Sequence, residues 1–409
     1  LNGKRKGPGR IQRDYENVLV SRLRDAQYFY EEDTKEPLEK KVPRLKEIVF
    51  LGRLGTMAER IDRLRALARE LSVLMRGFDF QERLDEEVLE RAALLSKADL
   101  VTRMVYEFPE LQGIIGQEYA LDAKEPPDVA KVIGEQYLPK SLAVDYKTLL
   151  GKLSALSALF GIVDRMDLLV GAFGTRLEPT GSEDPYALRR AGGVLVKLVR
   201  AFRIHFSLSQ LIQKSYETYK SIKLDLSLDV LLSKLLDFLK ERVVFELQVK
   251  CGTKPYEILQ GVLKSSFDDL ADVFDRYDSL INLFAEHPKI FLKTSKVVER
   301  TSNILKGSKE KLNSVDPSLF KESLEKELFE LIQKEGPVLR ETVKAKEYDK
   351  ATRHYGEIFF DPLHHFFDSV MVNVEDPQIR RNRQALMLDI NTLSTAGVAD
   401  LSCLTPVRD

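Results

Sequence analysis

Hydrophobic positions recur every three or four residues along most of the chain. Leu54, Met57, Ile61, Leu64, Leu67, Leu71 and Leu74 keep that spacing, with Arg60, Asp62, Arg63, Arg65 and Arg69 between them. The pattern predicts an amphipathic helix that stops at Gly77. Similar patterns run over 84–104, 129–137, 149–173 and 185–206. Leu228, Leu231, Leu232, Leu235, Leu236, Leu239 and Val243 open a further helical stretch that breaks near Cys251–Pro255, where Gly252 suits a helix end. Beyond it come helical patterns over 324–334, 338–343 and 359–370. Alternating, strand-like runs are scarce, so the expected fold class is all-α and multi-domain, with an antiparallel helical bundle at the end. Turn residues cluster at 122–128, at 177–184 and at 306–318. The expected divisions are a flexible basic segment 1–11, a helical domain 12–216, a helical connector 217–254 and a second helical domain 255–409.

Composition narrows the classes. Over 409 residues, 44% are hydrophobic and 31% charged, as in a soluble globular protein rather than a disordered one. Lys plus Arg (63) nearly cancels Asp plus Glu (64), so a nucleic-acid partner has to be met by a local basic surface. Cys251 and Cys403 form neither a metal spacing nor a disulfide framework, and a reducing cytoplasm is the expected setting. No apolar run is long enough to span a bilayer, and the opening residues are basic and glycine-rich without the core of a signal peptide. The missing initiator Met predicts a piece of a longer chain.

Motifs for catalysis are missing. The sequence contains no GxxxxGK[ST], GxSxG or HExxH, and Gly113-Ile114-Ile115-Gly116 sits in helical surroundings that suit close helix packing better than phosphate binding. His205, His287 and His354 are isolated, and the adjacent His364-His365 would point about 100° apart on a helix, unlike paired metal ligands. No catalytic residue, metal site or cofactor site is expected in this chain.

Basic residues at helix ends remain. In Pro179-Thr180-Gly181-Ser182-Glu183-Asp184-Pro185, turn residues lead into a helix that Asp184 can cap and Pro185 can begin. Arg189 and Arg190 would lie early in that helix, free to grip phosphate or paired within the domain to Glu183 or Asp167. Further on, Lys296, Arg300, Asn303 and Lys306 share one helix, and Arg380, Arg381, Asn382 and Arg383 form a compact cluster. Arginine contacts phosphate or stacks on a base and asparagine reads base edges, which suits an unstacked RNA loop. The same residues also suit a solvated helix face balanced by Glu299, Glu375 and Asp376. Phe359, Phe360, Phe366 and Phe367, repeating at about seven residues, read as a buried seam. Tyr348 and Tyr355 are the better exposed stacking candidates.

The phrase 179–190 also carries a resemblance. Together with Ser96-Lys97-Ala98-Asp99-Leu100, Glu107-Phe108-Pro109-Glu110-Leu111-Gln112-Gly113, Val163-Asp164-Arg165-Met166-Asp167, Glu299-Arg300-Thr301-Ser302-Asn303-Ile304-Leu305 and Phe366-Phe367-Asp368-Ser369-Val370-Met371-Val372, it resembles the β subunits of bacterial glycyl-tRNA synthetases, in the family's order. The first domain is then similar to the HD superfamily, with Ser96 and Lys97 where a His-Asp metal pair would stand, so the resemblance implies a degenerate HD-like domain. Asp164 matches the later aspartate. The last domain is similar to the DALR-type anticodon-binding domain found also in arginyl-tRNA synthetases. The resemblance implies tRNA-Gly as partner, with ATP and Mg used by a separate α subunit or α portion in a hetero-oligomer. It implies no membrane or DNA partner. Arg300, Asn303, Lys306, Arg380, Asn382 and Arg383 are the expected anticodon-side contacts, and Arg189 and Arg190 the tRNA-body contacts. Two alternatives stand beside it: an HD-type metal-dependent nucleotide phosphohydrolase, and a helical scaffold that binds only protein.

Overall fold

The computed structural model describes residues 8–75, 84–248, 251–306, 312 and 314–404. The fold is all-α. Among the described residues no sheet forms, and the only extended pairings are isolated bridges at Val49–Thr56 and Thr180–Glu183. Two compact units divide at Leu239/Lys240. No helix among the described residues is long and apolar enough to cross a membrane. Gly77 and the basic run 3–7 lie outside the described residues.

The first unit contains α1 (Pro8–Asp33), α2 (Leu38–Lys41), α3 (Met57–Leu74), α4 (Glu86–Leu95), α5 (Arg103–Glu107), α6 (Ile114–Asp122), α7 (Pro127–Glu135), α8 (Tyr146–Lys152), α9 (Ala155–Gly174), α10 (Leu188–Phe202) and α11 (Leu208–Thr218). At its centre, α9 is apolar nearly all round and packs against α3, α7, α10 and α11. Leu64, Leu67 and Leu71 of α3 are buried as expected, and a capping box starts the helix: Glu59 N donates to Thr56 Oγ1 (3.3 Å) and Thr56 N to Glu59 Oε2 (2.7 Å). Arg60 and Arg63, which spacing alone puts on the polar side, are instead buried against carboxylates of α9. The pattern at 149–173 is two helices, because Ser154 caps α9 by accepting from Ser157 N (3.2 Å). Likewise the 84–104 pattern divides into α4, a 3-10 turn at Ala98–Val101 and the start of α5.

Helix α12 (Leu228–Leu247) runs across the division. The second unit holds α13 (Lys254–Lys264), α14 (Leu270–Glu286), α15 (Pro288–Leu305), α16 (Ser323–Lys344), α17 (Tyr348–Ser369) and α18 (Pro377–Thr395). Its core forms where α15 meets α17 and α18, with Phe291, Val297, Val298, Phe359, Phe366, Leu386 and Ile390 buried. The sequence pattern breaks at Gly336-Pro337, yet α16 is one helix, since Ile332 and Leu339 are buried on either side of the proline. Gly356 lets α15 and α17 approach closely: a Cβ there would overlap the Thr294 hydroxyl and stand 3.1 Å from the Thr294 backbone nitrogen.

Candidate nucleic-acid interface

On α15, Lys293, Lys296, Arg300 and Asn303 are spaced by three or four residues and so share one face. The other face carries Thr294, Val297, Val298 and Thr301 into the core. Adjacent α17 residues lie about 100° apart, so the two Phe-Phe pairs cannot both remain in one seam. Phe359 and Phe366 are buried, while Phe360 and Phe367 are half-buried beside the α15 cations. The Lys293 ammonium lies 4.9 Å from the Phe360 ring centre and the Arg300 guanidinium 4.7 Å from that of Phe367. Arg300 Nη1 donates to His364 Nδ1 at 2.7 Å, and the His364 ring stacks parallel to Phe360 at 6.4 Å. Arg300 makes no carboxylate pair among the described residues. Lys296 pairs with Glu299 (2.8 Å), Lys293 with Asp361 (3.6 Å) and His364 with Asp368 (3.5 Å), so the surface mixes charge with rings and is not a strongly basic field. Asn303 and Lys306, at the end of α15, are exposed and joined by a 2.7 Å hydrogen bond.

The α18 cluster divides differently. Asp376 caps the helix by accepting from Gln378 N (2.8 Å) and Ile379 N (3.3 Å). Arg380 donates to the Val374 carbonyl at 3.0 Å. Asn382 and Arg383 are buried, each only 5% exposed. Asn382 holds the backbone of Asp316 from both sides, accepting from its N–H at 2.7 Å and donating to its carbonyl at 3.0 Å. Arg383 donates to Glu325 Oε1 (2.9 Å) and to the Met371 carbonyl (2.7 Å). Burial alone would raise the Glu325 carboxyl, but hydrogen bonds from Arg383 and from the backbone N–H groups of Lys321 and Glu322 outweigh it and hold it below its usual range. Arg381, which sequence reasoning named without singling out, is exposed and lines an open hollow of about 730 Å³ with Ser314, Asp316, Gln378 and Asn382.

The α15 and α18 groups stand apart. Helix α18 meets the end of α15 through Asn391, whose Nδ2 donates to Thr301 Oγ1 and Ser302 Oγ at 2.9 Å each. At 1.5 Å per residue, Arg380–Arg383 lie roughly 12–17 Å farther along α18 from that contact. Tyr348 and Tyr355, expected to be exposed, are buried at 3% and 2%. Their seven-residue spacing follows the core face of α17: the Tyr348 hydroxyl donates to Asp272, and that of Tyr355 to the Ile390 carbonyl at 3.1 Å.

In the first unit, α10 begins at Leu188, three residues after Pro185, yet Asp184 still caps it by accepting from Leu188 N (2.7 Å) and Arg189 N (2.9 Å). Arg189 donates to the backbone carbonyls of Glu183 (3.3 Å) and Gly181, not to a carboxylate. Asp167, the other expected partner, is fully buried against Arg63 Nε (2.6 Å) and Arg60 Nε (3.2 Å). Arg190 is exposed, with no ion pair among the described residues.

Below Arg190 lies the region of the Ser96-Lys97 pair. Ser96 Oγ donates to the Ala93 carbonyl at 3.0 Å. Lys97 is buried, its Nζ 3.0 Å from Asp164 Oδ1 and 2.6 Å from Gln136 Oε1. An ammonium therefore sits against the carboxylate that the HD resemblance would give to a metal. Burial pushes the Lys97 amine down to about 8 although Asp164 opposes the shift. Asp164 falls as well, for a different reason: burial would raise it, but Lys97, Arg60 and Arg165 together overcome that and hold it far below the usual carboxylate range. Among the described residues no group of three His, Cys, Asp or Glu side chains comes together as a metal site.

Comparison with known proteins gives this geometry a context. A family model described as the glycyl-tRNA synthetase β subunit matches residues 1–264, and one described as the DALR anticodon binding domain matches 295–399. Glycine–tRNA ligase β subunits similar to this chain include that of Desulforamulus reducens, 39% identical over 95% of this chain and 53% of the relative. That of Moorella thermoacetica is 38% identical over 97% and 55%, and that of Coxiella burnetii 34% identical over 98% and 55%. The chain thus spans about half the length of the curated relatives it matches.

Proposed function

We propose, for a chain that belongs to the glycyl-tRNA synthetase β subunit family, that it forms the tRNA-binding part of a glycine–tRNA ligase, positioning tRNA-Gly and contacting its anticodon loop. A separate α subunit or α portion performs the ATP- and Mg-dependent glycylation, in a cytoplasmic hetero-oligomer. The observation that carries the reading is the α15/α17 face, where Arg300 and Lys293 lie over half-exposed Phe367 and Phe360. Unstacked bases are held by aromatic and guanidinium planes, and loop phosphates by the same cations. The match of 295–399 to an anticodon-binding family supports assigning this face to the anticodon loop.

Within this reading Arg300, Asn303 and Lys306 supply contacts, joined by Lys293, Phe360 and Phe367. From α18, Arg380 and the exposed Arg381 reach the loop backbone, while Asn382 and Arg383 hold the surface in shape through Asp316 and Glu325. Arg189 and Arg190 contact the tRNA body. The first unit is a degenerate HD-like domain acting as a docking body, a reading supported by the Lys97 ammonium on Asp164. Contacts of both kinds hold the acceptor end toward the α portion, and positioning of this sort is the protein's contribution to the reaction.

The test is filter binding of a tRNA-Gly transcript to the 409-residue chain. Arg300→Glu is expected to weaken binding at least tenfold with an unchanged melting temperature. Binding equal to that of the unaltered chain would remove the α15 face from the interface.

A further inference from the structure

Within the first unit a cavity of about 420 Å³ opens beside α9 and α10. Five of its lining side chains are cationic, namely Arg60, Lys97, Lys140, Arg165 and Arg190, and Asp164 is the one carboxylate among them. Deep in the cavity, Arg60 and Lys97 share Asp164. Arg165 has no ion-pair contact of its own among the described residues and shares the field of the same Asp164. Its guanidinium donates to the carbonyls of Gly161 (2.9 Å), Leu138 (3.1 Å) and Gln136 (3.2 Å), which orient the group, so one carboxylate faces three buried cations. At the rim, Lys140 and Arg190 are exposed, and neither makes an ion pair among the described residues.

Like charges gathered in a concave, partly desolvated site repel one another unless an anion joins them, and low dielectric strengthens both effects. Burial brings Arg165 down to about 10, with the charges of Arg190 and Arg60 adding to the fall and that of Asp164 opposing it. Guanidinium and ammonium groups of this kind are suited to phosphate. The cavity is larger than phosphate needs. Its walls include the apolar Met57, Leu100, Leu168 and Val194, and Tyr186 stands at 37% exposure, an aromatic plane available to a base.

We propose that this cavity binds a mononucleotide, its phosphate between Arg165, Arg190 and Lys140 and its base against Tyr186. The proposal goes beyond the tRNA-body role given to Arg189 and Arg190, because it concerns a ligand held inside the cavity, and it is independent of how the second unit meets RNA. The ligand chemistry is a nucleotide phosphate. A free nucleotide and the phosphorylated end of an RNA strand are its two sources.

The experiment is isothermal titration of the 409-residue chain with 5′-AMP, adenosine, inorganic phosphate and a 5′-phosphorylated RNA tetramer, repeated with Arg190→Glu and Lys140→Glu. Both substitutions fall on exposed side chains, and circular dichroism checks that the variants fold. Expected are a submillimolar Kd for AMP, weaker binding of phosphate, no binding of adenosine, and at least a tenfold loss in each variant. Competition of the tetramer with AMP would identify the RNA end as a source, and binding of AMP without competition a free nucleotide; both support the pocket. Failure of AMP to bind, binding of adenosine as strong as that of AMP, or full affinity in Arg190→Glu would overturn the proposal.

Discussion

Two kinds of charge behave differently here, and burial separates them. Arg383 and Glu325 form an ion pair withdrawn from water, and removing one partner strands the other. Arg383→Ala is expected to destabilise the fold by about 3–5 kcal/mol, read as a shift in the urea midpoint. Arg300→Ala should leave that midpoint within about 0.5 kcal/mol while weakening RNA binding. From the sequence, Arg300, Asn382 and Arg383 are all expected to be anticodon-side contacts. The partners of Asn382 and Arg383 stand 66 and 58 positions away, so nothing local signals their burial. The half-exposed Phe360 and Phe367 were legible in principle, because adjacent residues on a helix cannot share one buried stripe. Asp99 gives a pH test. Burial raises its carboxyl to about 6, outweighing the 2.6 Å hydrogen bond from Gly113 N and the charge of Lys97. Its Oδ1 has no partner among the described residues. The folded state holds this proton more tightly than the unfolded state, so the stability it contributes is full below about pH 4 and is lost as pH rises through about 6. Asp99→Asn should remove up to about 3 kcal/mol of the fall in stability between pH 4 and 7, measured by denaturant titration at each pH.

At the scale of elements, most helices were legible from their apolar period and most of their ends were not. Caps depend on side-chain geometry: Ser154 divides what reads as one stretch into α8 and α9, and Asp184 caps α10 from beyond the turn formed by Pro185–Ala187. Proline was the opposite case, since α16 continues through Pro337 on the strength of flanking burial. These caps carry measurable energy. Thr56→Ala removes half of the α3 capping box and should cost about 1 kcal/mol, seen in thermal unfolding of the chain. Asp376→Ala should cost a similar amount and fray the first turn of α18, giving faster amide exchange at Gln378 and Ile379, the two N–H groups it caps. If exchange there is unchanged, the cap does not hold Arg380 and Arg381 in place.

For the whole molecule, the all-α class follows from periodicity, whereas its chemistry does not. The cavity below Arg190 assembles Lys97, Lys140, Arg165 and Arg190 from separate elements, and no spacing rule gathers them. Family membership came instead from ordered phrases along the chain, and it directs attention to RNA on a molecule whose formal net charge is only −1. A near-neutral molecule that reads RNA must do so through a small surface, and the α15/α17 face combines cations with rings where the anticodon-binding family match falls. The most direct measurement compares binding of tRNA-Gly transcripts carrying the native or an altered anticodon, across a salt series, for the unaltered chain, Arg300→Ala and Phe367→Ala. The unaltered chain is expected to prefer the native anticodon, Phe367→Ala to lose the preference along with about 1–3 kcal/mol of binding, and Arg300→Ala also to flatten the salt dependence by about one phosphate contact. Equal binding of both anticodons by the unaltered chain, or a preference undiminished in both variants, would contradict that role for the α15/α17 face.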